Sequence, residues 1–248
     1  MFKTVNALVL REVRYKEADR ILTLLTDTDG KITVKARGAL RKSSKTAAAT
    51  QQLTYSEMTL FGNLGRLTVN EATVKEGFDG LRADIGNFAL GCYFAECVDA
   101  LSVEDQPDAP LMQLALNCLY ALSRGMYTPE HIKAAFELRL MCLAGYTPEL
   151  SHCAVCGEEE PGDPVLMLER GCVCCRRCAA GAGQTVKLDA ASLSSMRHIC
   201  SASPKQILSF SLEGEGAKLL SAAAEEYLLL HTERQFSTLT YWKNIRIR

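Results

Sequence analysis

Over the first 80 residues, apolar and polar positions alternate with a period of two. Val5 to Val13 (VNALVLREV) is rich in β-branched residues and partly alternating, and Arg20 to Thr26 (RILTLLT) is a second such run. Asp29-Gly30 follows within Asp27-Thr28-Asp29-Gly30, a hairpin signal in which glycine supplies the positive φ. In Lys31 to Gly38 (KITVKARG), Ile32, Val34 and Ala36 point one way, and Lys31, Thr33, Lys35 and Arg37 the other. One face joins a core, and the other is a row of cations about 7 Å apart. Leu53 to Phe61 (LTYSEMTLF) predicts a fourth strand, Gly62-Asn63-Leu64-Gly65 a turn, and Arg66 to Lys75 (RLTVNEATVK) a fifth strand. Between the third and fourth strands, Ala39 to Gln52 is polar and aperiodic, which suits a mobile basic loop or a short helix. Five short strands in so short a domain are most simply a small closed barrel, with the OB-fold as the leading candidate.

From Leu81 the period lengthens. Leu81, Ile85, Phe88, Cys92 and Ala95 share one helical face. Asp105 to Pro110 (DQPDAP) ends that helix, and Leu111, Leu114, Cys118 and Leu122 mark the next. Thr128-Pro129 pairs an N-cap with a first-turn proline, opening a third helix that turns Ile132, Phe136 and Leu140 inward until Gly145. Ser192 to Cys200, Glu215 to His231 and Phe236 to Ile245 predict three more, the longest with a stripe of Leu219, Leu220, Ala223, Tyr227 and Leu230. The expected fold is therefore α+β and multidomain. Residues 1–80 are expected to form the barrel, and 81–248 an all-helical domain with an inserted module at 150–182.

That module reads HCAVCGEEEPGDPVLMLERGCVCCRRC and holds six of the eleven cysteines. Cys153 and Cys156 form one C-x-x-C, and Cys175 and Cys178 another, with 18 residues between them. This is the spacing of a four-cysteine structural Zn²⁺ site, in which two thiolates from each tight turn complete a tetrahedron. Gly157 follows the first turn, where a positive φ is often needed. Cys172 and Cys175 offer a competing C-x-x-C at a gap of 15. The Ala-rich sequence after Cys178 favours the later register. His152, beside Cys153, fits a surface residue better than a ligand.

The chain has 248 residues and a formal charge of −1, but the charge is unevenly spread. Residues 1–45 hold eleven Lys/Arg against five Asp/Glu, and the other 203 hold 17 against 24. A basic head on an acidic body points to a polyanionic partner for the head. No signal-peptide pattern and no apolar run near the ~18 residues of a membrane span are present. Thiols in metal spacing suit a reducing compartment, so a cytoplasmic protein without a membrane partner is expected. P-loop, dinucleotide, H-E-x-x-H and deaminase motifs are all missing. Four sulfur ligands would leave zinc no open position for catalysis, and no enzymatic activity is expected.

The remaining candidate site is the basic head. Arg14, Lys16, Lys31, Lys35, Arg37, Arg41, Lys42 and Lys45 are candidate phosphate contacts, with Tyr15, Tyr55 and Phe61 as candidate stacking faces. Many cations and few aromatics imply binding that is mostly electrostatic and strongly salt-dependent.

Four segments in order resemble the bacterial RecO family of DNA repair proteins. They are Val9 to Lys45 (VLREVRYKEADRILTLLTDTDGKITVKARGALRKSSK), Leu60 to Leu67 (LFGNLGRL), Phe136 to Gly157 (FELRLMCLAGYTPELSHCAVCG) and Tyr227 to Trp242 (YLLLHTERQFSTLTYW). The family carries two glycines and two further residues before its second C-x-x-C. Here that stretch is Gly171-Cys172-Val173-Cys174, so the alignment favours Cys175 and Cys178 as ligands, with Cys172 in a glycine's place. The resemblance implies an N-terminal OB-fold, a helical domain with an embedded zinc module, and a mediator that binds single- and double-stranded DNA and anneals complementary strands. It also implies partners: RecR, often RecF, and the acidic C-terminal tail of single-stranded DNA-binding protein (SSB), from which such proteins help RecA take over. Lys133 and Arg139, on the third predicted helix, are candidates for a cationic rim that would receive that tail. The alternative reading is a protein-interaction scaffold whose basic head binds an acidic protein. A zinc-dependent nucleic-acid enzyme is a third.

Overall fold

The structure, a computed structural model, describes residues 2–63, 66–181 and 183–246. Leu64 and Gly65 of the turn expected after the fourth strand lie outside them. The five strands predicted are β1 (Phe2–Tyr15), β2 (Asp19–Thr26), β3 (Gly30–Ala36), β4 (Tyr55–Phe61) and β5 (Leu67–Glu76). They close in the order β1-β2-β3-β5-β4, with the single parallel pairing between β3 and β5. This is the barrel of an OB-fold. The alternating residues face inward as their period requires: Val5, Ala7, Val9, Leu22, Leu24, Ile32, Val34, Met58, Leu60, Leu67 and Val69 form one buried cluster.

The helices are α1 (Asp79–Arg82), α2 (Ile85–Leu101), α3 (Ala109–Ser123), α4 (Pro129–Leu143), α5 (Ala190–Ser201), α6 (Gly214–Thr232) and α7 (Ser237–Arg246). Their starts follow side-chain caps: Asp84 accepts from Asn87 N, Asp108 from Leu111 N and Thr128 from His131 N. Asp189 and Ser192 form a capping box at α5. The Glu96 carboxylate of α2 caps α7, accepting from the N–H and hydroxyl of Thr238. Residue 80 marks the change from strand to helix, whereas packing groups residues 1–125 with 236–248 and makes 126–235 a second compact unit.

In the first unit α2 lies against β1, which explains why Leu8 and Leu10 are buried on that strand's outer face. Of the helical face expected from Leu81, Ile85, Phe88, Cys92 and Ala95, Leu81 and Ala95 are buried and Phe88 and Cys92 half-buried. Asp84 separates Leu81 from α2, and Ile85 is 66% exposed. The buried stripe is Leu90, Tyr93, Phe94, Cys97 and Val98. With apolar residues on most of its faces, α2 is placed by its neighbours rather than by its own periodicity.

The segment 39–52 is neither helical nor loose. It runs as successive turns, and Arg20, 9% exposed, holds it. The guanidinium donates to the Ala47 carbonyl and the Thr50 hydroxyl, both at 3.0 Å, and stands 3.3 Å from the Glu12 carboxylate. Ala39, Ala49 and Thr50 are buried beneath it.

In the second unit α4, α5 and α6 pack together around Ile132, Phe136, Leu140, Leu220, Ala223 and Tyr227. This part is not wholly helical. β6 (Pro164–Met167), β7 (Cys172–Cys175) and β8 (Thr185–Lys187) form a three-stranded antiparallel sheet, order β7-β6-β8, within the cysteine-rich module.

Gly30 opens β3 at φ +64°, and a Cβ there would stand 2.1 Å from the Gln106 carbonyl oxygen. Left-handed strain and overpacking combine, so Gly30→Ala should lower stability by about 3 kcal/mol. The check is the denaturant midpoint; an unchanged value would mean that this approach does not limit the fold.

Candidate nucleic-acid interface and metal centre

Strand register decides which cations meet. Arg14 pairs with Arg20, and Arg20 with Ala36, so the ends of β1 and β3 flank the start of β2 at one end of the barrel. That brings together Arg14, Lys16, Lys35 and Arg37, and the chain then runs directly into Arg41, Lys42 and Lys45. Lys31 is not among them. It begins β3, about 13 Å away along the strand, where its ammonium donates to the Asp99 carbonyl at 2.7 Å and meets the Asp99 carboxylate at 3.3 Å.

The gathered cations are not equivalent. Lys35 is half-buried, 2.8 Å from the Asp19 carboxylate and 4.9 Å from the Tyr15 ring centre. The Lys35 hydrogen bond, then the Gly38 N–H, hold Asp19 below the usual carboxylate range. Arg14, Lys16, Arg37, Arg41, Lys42 and Lys45 are exposed and form no ion pair with the described residues. Tyr15, 44% exposed, lies within the cluster and also meets the Lys16 ammonium. Tyr55 is half-buried and contacts Lys75. Phe61 pairs with Phe2 at the opposite end of β1, ring centres 4.8 Å apart. Arg66 went unseen in the sequence. It is exposed one residue before Leu67, which pairs with Val34 of β3. Only the parallel β3–β5 pairing puts it beside the basic strand.

In the second unit the Sγ atoms of Cys153, Cys156, Cys175 and Cys178 all lie within 4.8 Å of one another. Cys156 and Cys175 are 3.9 Å apart, close to the ~3.8 Å edge of a tetrahedron with 2.3 Å metal–sulfur bonds. Two tight turns hold the set: Gly157 N–H donates to the Cys153 carbonyl with Gly157 at φ +76°, and Cys178 N–H to the Cys175 carbonyl. Burial opposes ionisation of Cys153, but N–H groups of Cys156, Cys175 and Val155 aimed at its sulfur bring the thiol down to about 5. Contact with Cys156, then burial and Cys153, push Cys178 up to about 12. One thiolate is welcome and further ones repel, so a full set of four needs a cation among them. The donors therefore fit a soft divalent metal. Cys172 lies outside the group, opposite Met167 on β7, and Cys174 turns its sulfur to Met167 Sδ at 3.1 Å. His152 contacts Ser151, not the sulfurs. Arg197 of α5, also unseen in the sequence, straps the first turn. It donates to the carbonyls of Leu150, Ser151 and Glu159 and to the Glu160 carboxylate.

The expected rim at Lys133 and Arg139 is corrected. Lys133 is 1% exposed, with its ammonium 2.7 Å from Glu137 and 2.8 Å from Glu225. Burial opposes its charge, but the two glutamates outweigh it and its pKa is raised. Arg139 spends its guanidinium on the Ile199 and Cys200 carbonyls at the end of α5. Glu225 of α6 covers Lys133, and the end of α5 holds the half-buried Arg139.

Comparison with known proteins adds the following. The model of "Recombination protein O N terminal" matches residues 1–78, and "Recombination protein O C terminal" matches 82–240. The chain is 30% identical over 240 residues to the DNA repair protein RecO of Acetivibrio thermocellus, covering 97% of this chain and 96% of that one. It is 30% identical over 245 residues to that of Symbiobacterium thermophilum (98% and 97%), and 34% over 236 residues to that of Heliobacterium modesticaldum (92% and 84%).

Lys133→Met should cost about 3–5 kcal/mol by leaving Glu137 buried without its cation. Adding Glu137→Gln should recover part of the loss in urea denaturation. Because the folded pKa of Lys133 is raised, its contribution is complete below the ordinary value of 10.5 and fades only as pH climbs past it. Equal losses in the single and double variants would count against the ion pair.

Proposed function

The chain belongs to the RecO family, and from that premise we propose that it is a DNA-repair mediator without enzymatic activity. It binds single- and double-stranded DNA through the barrel and anneals complementary strands. With RecR, and with RecF where present, it helps RecA replace SSB on single-stranded gaps in the bacterial cytoplasm, at the nucleoid. The observation that carries the DNA-binding part is the exposed cation cluster at one barrel end: Arg14, Lys16, Arg37, Arg41, Lys42 and Lys45. Cations left to solvent keep their charge for phosphates, whereas Lys31 and Lys35 must first give up a carboxylate. Neutralising two strands at once lowers the repulsion that opposes their pairing and releases counterions. The partners RecR and the SSB tail rest on family membership. No helix among the described residues is long and apolar enough to cross a membrane.

The four-cysteine group is assigned to Zn²⁺ in a structural role. Four sulfur ligands close the coordination sphere, and the metal would join the two turns that carry the small sheet.

Two outcomes follow. In fluorescence anisotropy with a labelled single strand, the combined variant Arg37→Glu, Arg41→Glu and Lys42→Glu should weaken binding roughly tenfold or more. It should also lower the slope of log affinity against log salt by about 0.7 per lost phosphate contact. Lys31→Ala should leave both almost unchanged; the opposite ranking would move the DNA site. Purified protein should carry one zinc per chain by elemental analysis. Cys178→Ser should lose it and Cys172→Ser should keep it, while zinc retained by Cys178→Ser and lost by Cys172→Ser would restore the rival register.

A further inference from the structure

Two cysteines outside the metal group have been given no role. Cys142 near the end of α4 and Cys200 near the end of α5 bring their sulfurs to 3.6 Å. Both are half-buried, within reach of small solutes, and neither is a member of the four-sulfur cluster. Arg139, one turn before Cys142, donates to the Cys200 carbonyl at 2.8 Å. That bond fixes a positive charge beside the pair. The sulfur–sulfur hydrogen bond with Cys200 outweighs burial and, with Thr147 and Arg139, brings the Cys142 thiol down to about 7. The same contact raises Cys200. One sulfur is thus ionised near neutral pH and its neighbour keeps its proton, which is the division between an attacking and a resolving thiol. By contrast, burial pushes Cys92 up to about 11.

We propose that Cys142 and Cys200 are a peroxide-oxidisable dithiol whose disulfide ties α4 to α5 at the base of the four-cysteine module. The Cys142 thiolate attacks one oxygen of hydrogen peroxide. An S–O bond forms as the O–O bond breaks, and the departing hydroxide takes a proton to become water. Cys142 is then a sulfenic acid, oxidised by two electrons as the peroxide is reduced by two. The Cys200 sulfur displaces the sulfenic hydroxyl. An S–S bond forms, the S–O bond breaks, and the Cys200 proton leaves with the hydroxyl as a second water. In sum, two thiols and one peroxide give one disulfide and two waters. Residues 143–199 then form a closed loop that contains Cys153, Cys156, Cys175 and Cys178. Closing it restricts the unfolded chain, so the oxidised form should melt at a higher temperature than the reduced form.

The test uses the full chain, purified reduced and treated with one equivalent of hydrogen peroxide. It is then alkylated and mapped by non-reducing peptide mass spectrometry. The expected product is a dithiothreitol-reversible link between the Cys142 and Cys200 peptides. Before oxidation, N-ethylmaleimide at neutral pH should modify Cys142 at least about tenfold faster than Cys92. In Cys200→Ser the link should vanish and Cys142 should be trapped by dimedone as its sulfenic acid. Oxidation confined to the four-cysteine group, with Cys142 and Cys200 both still open to alkylation, would overturn the proposal. So would a Cys200→Ser protein whose Cys142 gives no dimedone adduct.

Discussion

Closure of the barrel through β1 is the constraint on which the first unit depends. The strand is 14 residues long because it must pair twice, its first half with β4 and its second with β2. The register shifts between Val9 and Arg11, and such a shift lets one strand turn between two partners. Around the shift, Ala7 to Leu10 are buried on both faces of the strand, so Leu8 and Leu10 are buried as completely as Val9. Residues after it face water, and Arg14, Tyr15 and Lys16 extend the strand into the cation cluster. One strand therefore fixes the core, the helical covering and the position of the basic end.

The cations at that end divide by what neutralises them. A surface ion pair is worth little in stability, but it changes what a charge can do next. Lys35 sits on Asp19 and Tyr15, and Lys31 on Asp99. A phosphate arriving at either must compete with a carboxylate already in place. Arg37, Arg41, Lys42 and Lys45 face no such competitor among the described residues. The segment that carries the last three is held from beneath by the buried Arg20 guanidinium, so less conformational freedom is lost when it meets a ligand.

The strands could be read from the sequence because each barrel strand turns alternate residues into the core and alternation records that directly. The cysteine cluster could be read because ligand spacing is set by the geometry of a tight turn, which is local. What failed was non-local. The buried face of α2 was only partly legible because neighbours surround the helix and its own periodicity is weak. Lys133 looked like a surface residue because nothing nearby in sequence announces Glu225, 92 residues later. Splitting the basic row into paired and free cations required Asp99, which α2 brings to β3. Arg66 could be found only through a parallel pairing between strands that are not neighbours in sequence.

The cysteine-rich module follows the same logic of charge and neutralisation in a different solvent. Its sheet strands are only three or four residues long, too short for independent stability in water. The module must be held by something other than its own apolar area. Backbone N–H groups can favour one thiolate at Cys153, but each further thiolate raises the next, as at Cys178. Hydrogen bonds alone therefore cannot hold four sulfurs in one place as anions. A metal ion there would remove that repulsion and join the two turns in one step. Arg197 supports the arrangement from outside, binding three carbonyls of the first turn's loop to α5. Four sulfur ligands would close the coordination sphere around such an ion, which suits the structural role proposed for the centre.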